Sequence, residues 1–199
     1  MSTKINIISI VKGHFRSLTN SDNSFNLADC LTFKAFPLLV AIVFALVCPK
    51  LSSNTISLLV NFGSIFTALL LSVLVLIFDQ ESKIDEQYEK NLLYKEQLEK
   101  NPELKESSTY KLIYSKNYDE KYPIKKQLLG QLYFNISFSI ICALLLVLSC
   151  LIYSELIESN FLYVNYVIQI FLFFVIAILI TIFLNILMIV KRLHVLLTN

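Results

Sequence analysis

The sequence predicts an all-α integral membrane protein with four transmembrane helices and a helical cytoplasmic extension between the second and third. Three observations carry that expectation. The chain is 56% hydrophobic and only 16% charged, with a mean hydropathy of +0.65; an ordinary soluble domain is ~45–50% apolar and ~25% charged. The charge is gathered in one place. Ten of the seventeen Lys and Arg residues lie between Lys83 and Lys126, and eleven of the fifteen acids lie between Asp79 and Lys126. What remains divides into long uncharged stretches, for which a hydrocarbon core is the natural solvent.

Residues 1–34 form an N-terminal cytoplasmic or interfacial segment. Ile7, Ile8, Val11, Phe15 and Leu18 recur at helical spacing, with Lys12 and Arg16 on another face. This pattern suits a basic amphipathic helix on the inner leaflet. Gly13 weakens such a helix, and a poorly ordered tail is the alternative. No cleavable signal sequence is expected, because Ile5–Val11 is short and broken by Asn6 and Ser9.

Residues 35–78 hold the first two spans. Ala35–Pro49 is uncharged for only 15 residues, whereas a ~30 Å core needs ~20. A snorkelling Lys34 admits Leu31–Phe33. Pro37 sits early in this span. Two arrangements stay open: an interfacial segment Phe25–Phe36 that bends at Pro37 into the membrane, or a straight span starting near Leu31 with proline tolerated in its first turns. The second span, Leu51–Phe78, is uncharged over 28 residues.

Residues 79–127 are the charged cytoplasmic loop. Ser82–Lys100 is rich in Glu, Lys, Gln and Leu, and Glu86–Lys90 and Glu96–Lys100 are spaced i,i+4 in the favourable order. No Gly or Pro lies between Gly63 and Pro102, so the second span is expected to continue as one helix and to end at Asn101-Pro102. Glu103–Tyr122 interleaves tyrosines with lysines. Tyr110, Tyr114 and Tyr118, spaced by four, are candidate partner-binding anchors, with Lys111 and Lys116 beside them. A helical hairpin that buries these rings against Leu92, Leu93 and Leu98 is equally open and compatible.

Residues 128–190 hold the third and fourth spans, within uncharged stretches of 28 residues (Gln127–Ser154) and 31 residues (Asn160–Val190); residues 191–199 are a cytoplasmic tail. Only Lys50 falls on the outer side, so sixteen of seventeen basic residues share one face. Both termini are therefore expected in the cytoplasm.

No Asp, Glu, Lys, Arg or His lies within a span, which argues against ion-coupled transport and voltage sensing. Six amides remain: Asn61, Gln131, Asn135, Asn165, Gln169 and Asn185. They are candidates for intramembrane helix–helix contacts; a polar pore lining in an oligomer is the alternative. Cys48 and Cys150 both fall near the outer ends of their spans, either as a disulfide or as two small apolar fillers. No catalytic, metal-binding or cofactor-binding residues are expected. The four cysteines form no CxxC, only two histidines exist, and His194 lies on the opposite face from Glu155 and Glu158. A net charge of +2 is too weak to argue for direct nucleic acid binding.

Two functions fit: a non-catalytic sensor or anchor that carries a cytoplasmic partner on its loop, or a small pore-forming effector that depolarises the cell. A 49-residue insertion favours the first, because a minimal pore has no use for it. The whole layout resembles one family: a basic, Ile-rich N-terminus (Lys4-Ile-Asn-Ile-Ile-Ser-Ile), four spans, and one long Lys/Glu/Tyr loop after the second span. It is similar to the membrane subunit of the bacterial Kiwa anti-phage defence system. The resemblance implies a multi-pass protein of the bacterial inner membrane, surrounded by membrane lipid and assembled as a homotetramer. It further implies recruitment of a cytoplasmic, DNA-binding defence partner and a response to phage at the envelope. It brings no catalytic residues and no cofactor.

Overall fold

The computed structural model describes residues 6–18, 31–48, 50–101, 116–158 and 164–198, and within them the backbone is almost wholly helical, with no strand. Helix α1 spans Ile7–Ser17. The Asn6 side chain caps it, accepting from the Ser9 N–H at 3.1 Å and so satisfying one of the free amides of the first turn. A five-residue π turn, Leu31–Ala35, runs directly into α2, Phe36–Val47. Pro37 has no N–H to donate to the turn before it, and the wider π winding accommodates its ring at the start of the α-helix. Leu31–Val47 is thus helical through Pro37, with a local π distortion that neither sequence expectation contained. Phe25–Cys30 lies outside the described residues.

Helix α3 spans Ser53–Lys100, 48 residues, or about 72 Å of continuous helix at ~1.5 Å per residue. Ser52 caps its start by accepting from the Thr55 N–H at 3.2 Å, and the helix gives out at Asn101, just before Pro102. Helix α4 spans Lys116–Glu158 and α5 spans Val164–Thr198. Three helical stretches are long and apolar enough to cross a membrane: Ser53–Lys100, Lys121–Ile157 and Tyr166–Leu196; Leu31–Val47 is apolar but shorter. The chain is a helical membrane protein on that basis.

The helices assemble around α4. Helix α3 packs along one flank of it and α5 along another; α2 packs on α5, and α1 on the half of α4 nearest the charged loop. One apolar cluster, including Ala41, Ile56, Ala143, Leu146, Tyr153, Leu172 and Val175, fills the half away from the charged stretch of α3. A second, including Leu70, Ile77, Leu129, Leu132, Ile136 and Ile189, fills the half nearer the charged stretch. The buried positions of α3 follow one rule: Ile56, Gly63, Leu70, Ile77, Asn91 and Leu98 fall on a seven-residue spacing, with half-buried Ile84 completing the series. A seven-residue repeat of small and apolar positions is the signature of two helices that coil around each other with a left-handed twist.

At Gly63 the two helices come close enough that a Cβ would lie 2.6 Å from Val147 Cγ2 and 3.3 Å from the Ala143 carbonyl oxygen. At the end away from the charged stretch, the Leu51 N–H donates to the Tyr153 hydroxyl at 2.9 Å, which ties the turn before α3 to α4. Cys48 is half-buried, Cys150 is buried, and both are free thiols, so the filler role describes them here.

Candidate functional site

Polar groups converge where α1 meets α4. Helix α1, expected on the inner leaflet, is seated on the bundle: His14 and Ser17 are buried, while Ile7, Ile8 and Phe15 stay exposed. Gly13 allows the approach, because a Cβ there would overlap the Phe134 ring. The His14 ring stacks on Phe138, centroids 4.0 Å apart and planes within 7°. Its Nδ1–H donates to Asn135 Oδ1 at 2.9 Å. The Ser17 hydroxyl lies 2.6 Å from the His14 carbonyl oxygen and 2.8 Å from Asn135 Oδ1, and its one proton serves both acceptors. From α5, Arg192 Nη2 donates to the Ser17 carbonyl at 2.5 Å, so the end of α1 is held from two sides. Burial pushes the His14 imidazole down to about 4; the Asn135 bond opposes that shift and the Arg192 charge reinforces it. The ring at this site is therefore neutral at ordinary pH.

Beside the clamp lies a cleft of about 590 Å³. Its walls are the end of α1 (Ser17, Leu18), the π turn (Thr32, Phe33), the first apolar turns of α4 (Gln127, Gln131) and the last of α5 (Leu187, Lys191, Arg192). This volume is typical of small-molecule and cofactor sites. Among the described residues, two cations line it and no carboxylate does.

The charged extension forms a braced stem. Asp85 on α3 accepts from the Tyr122 hydroxyl at 2.8 Å and from Lys126 Nζ at 3.0 Å, both residues on α4. Tyr122 stacks flat on Tyr88, centroids 3.9 Å apart. Lys126 and then Tyr122 hold the Asp85 carboxyl below its usual range, and the Tyr122 hydroxyl and Asp85 carboxylate raise the Lys126 ammonium. The ion pair is solvent-exposed and contributes little by itself; the ring stack is the firmer part of the brace. The i,i+4 pair read from sequence between Glu86 and Lys90 forms at 2.6 Å.

The six amides divide. Asn135 and Asn185 are fully buried inside the bundle. Asn135 makes the clamp; among the described residues its Nδ2 has no partner, and neither polar side-chain atom of Asn185 meets one. Gln131 lines the cleft. Asn61 and Gln169 face outward, exposed on the surface of the bundle. Asn165 is placed on α5 by its backbone only. Of the expected partner anchors, Tyr110, Tyr114 and Lys111 lie outside the described residues, and Lys116 and Tyr118 are placed only as backbone positions on α4. Leu98 is buried, but Leu92 and Leu93 are exposed.

Sequence reasoning missed His14, Ser17, Arg192 and the Tyr88–Tyr122 stack. The first three meet across more than a hundred residues, and the available signal was the small residue Gly13 on a face otherwise suited to packing. Among the described residues no three His, Cys, Asp or Glu side chains converge as metal ligands. No protein-family model, curated protein sequence or solved structure matches this chain.

Proposed function

We propose that the chain is a non-catalytic sensor and anchor subunit of an anti-phage defence complex in the bacterial inner membrane, crossing it four times with both termini inside, and docking a cytoplasmic DNA-binding partner on its charged loop. The observation that carries this reading is the braced stem. From Asp79 to Lys100, α3 projects about 33 Å beyond the uncharged stretch at ~1.5 Å per residue. The Asp85–Tyr122–Lys126 contacts and the Tyr88–Tyr122 stack fasten it to α4. A rigid arm of this length is superfluous for joining two spans, but it holds a protein-binding loop at a fixed height above the membrane. The architectural resemblance to the Kiwa membrane subunit points the same way, and it supplies the partner's class and the homotetramer. Assembly also accounts for Asn61 and Gln169, whose outward amides sit in apolar surroundings unless another helix receives them.

Topology is tested by reporter fusions at residues 51–54 and 155–159. Both positions should report as external, and cytoplasmic activity at either would refute the four-span arrangement. Docking is tested by mild-detergent pull-down and mass spectrometry of the wild type and of the triple variant Tyr110→Ala, Tyr114→Ala, Tyr118→Ala. The wild type should retain a DNA-binding protein that the variant loses, while insertion into the membrane is unchanged. Retention by the variant, or no partner from the wild type, would reject the docking loop.

A further inference from the structure

We propose that the cleft between α1, the π turn, α4 and α5 is a binding site for an anionic glycerophospholipid of the inner leaflet, with Lys191 and Arg192 facing the phosphodiester. Four features converge on that occupant. The first is depth. Lys191 and Arg192 follow directly on the 31-residue uncharged stretch of α5, and Gln127 opens the 28-residue uncharged stretch of α4. The cleft therefore straddles the boundary between apolar and charged chain, the level of lipid headgroups when these helices span. The second is charge: two cations and no carboxylate among the described lining residues. Basic pockets between transmembrane helices on the cytoplasmic side are a recurring acidic-lipid site.

The third feature is the division of labour between the two cations. Arg192 is anchored through the Ser17 carbonyl, so its guanidinium is a fixed wall of the site. Lys191 is exposed and free to close on a phosphate oxygen, with the Gln131 amide and the Thr32 hydroxyl within the same walls as hydrogen-bonding groups. The fourth is an apolar exit. Leu184 and Leu187, one turn apart on α5, line the cleft, and Leu187 is 66% exposed. An acyl chain lying along these two side chains would leave the cleft into the bilayer. A free phosphate would make no use of that apolar wall.

The inference depends on the cleft lying at the inner interface and not on the docking of any partner, so the two fail separately. The full-length protein is purified in mild detergent and titrated with phosphatidylglycerol or phosphatidylcholine of identical chains. Bound lipid is read by native mass spectrometry. Phosphatidylglycerol should be retained well above phosphatidylcholine. Lys191→Gln should weaken that retention about fivefold, the scale of one cation at a charged membrane surface, while Lys95→Gln on the distal stem should leave it unchanged. Millimolar glycerol 3-phosphate should not displace the lipid. Equal retention of the two lipids, full retention by Lys191→Gln, or an equal loss with Lys95→Gln would overturn the proposal. Displacement by glycerol 3-phosphate would reassign the cleft to a soluble phosphate and equally overturn it.

Discussion

Asn135→Leu should release α1 from the bundle while leaving the spans in place. Leucine keeps the four-atom branched outline of the asparagine side chain, with bulkier methyl ends at a fully buried position, and removes the acceptor. Asn135 Oδ1 serves both the His14 ring and the Ser17 hydroxyl. The Ser17 hydroxyl keeps the His14 carbonyl as acceptor, whereas the His14 ring loses its partner, and a buried donor left without one costs ~1–3 kcal/mol. Helix α1 has only eleven residues, too short to persist on its own in water. Lys12 and Arg16 are exposed on it and open to trypsin once the helix detaches. A loss of ~2 kcal/mol multiplies the detached population by about thirty, and cleavage at these two sites should accelerate to match when opening is fast. Wild-type cleavage rates in the variant would show that the clamp does not hold the helix.

Acidification should detach the same helix without any mutation. The docked His14 imidazole is pushed down to about 4 by burial, against 6.5 for the ordinary ring. A released helix therefore binds a proton more tightly than a docked one. The sign follows: docking is at full strength above pH 6.5, weakens by ~1.4 kcal/mol per unit as pH falls below it, and has lost the whole contribution by about pH 4. At pH 5 the loss is about 2 kcal/mol. A spin label at Val11 should become mobile between pH 6.5 and 4.5 in the wild type, and His14→Gln should abolish that dependence. A label equally immobile across the range would exclude a protonation-linked contact.

The large divisions of the fold were legible because they are local properties of the chain. Uncharged runs mark the long helices, Pro102 marks the end of α3, and the continuity of that helix past Phe78 follows from the absence of Gly and Pro. The destination of α1 was not legible. Its apolar spacing describes a helix with one greasy side, and lipid and protein satisfy such a side equally well in one dimension. Gly13 reads locally as a weak helix former, yet its missing side chain is what lets the helix meet Phe134. The amides show the same limit. Sequence places all six in spans but cannot tell the buried Asn135 and Asn185 from the outward Asn61 and Gln169, because rotation about each helix axis is decided by neighbours distant in sequence. Tyr122 was grouped with the interface tyrosines, and its partner Tyr88 could be found only once α3 and α4 lay side by side.

The seven-residue stripe from Ile56 to Leu98 also sets rules for how the stem can change length. Each residue inserted into a helix turns everything beyond it by about 100° and lifts it by ~1.5 Å. One extra residue after Phe78 would swing Asn91 and Leu98 off the face that meets α4 and re-aim the tip. Seven extra residues bring that face almost back into line and raise the tip by about 10 Å. Growth or shrinkage of the arm is thus quantised: heptad steps alter its reach at nearly constant heading, and any other step changes both. Asn91, the lone amide among apolar and small neighbours on the stripe, marks the origin of that ruler, because no other heptad position can exchange places with it unnoticed.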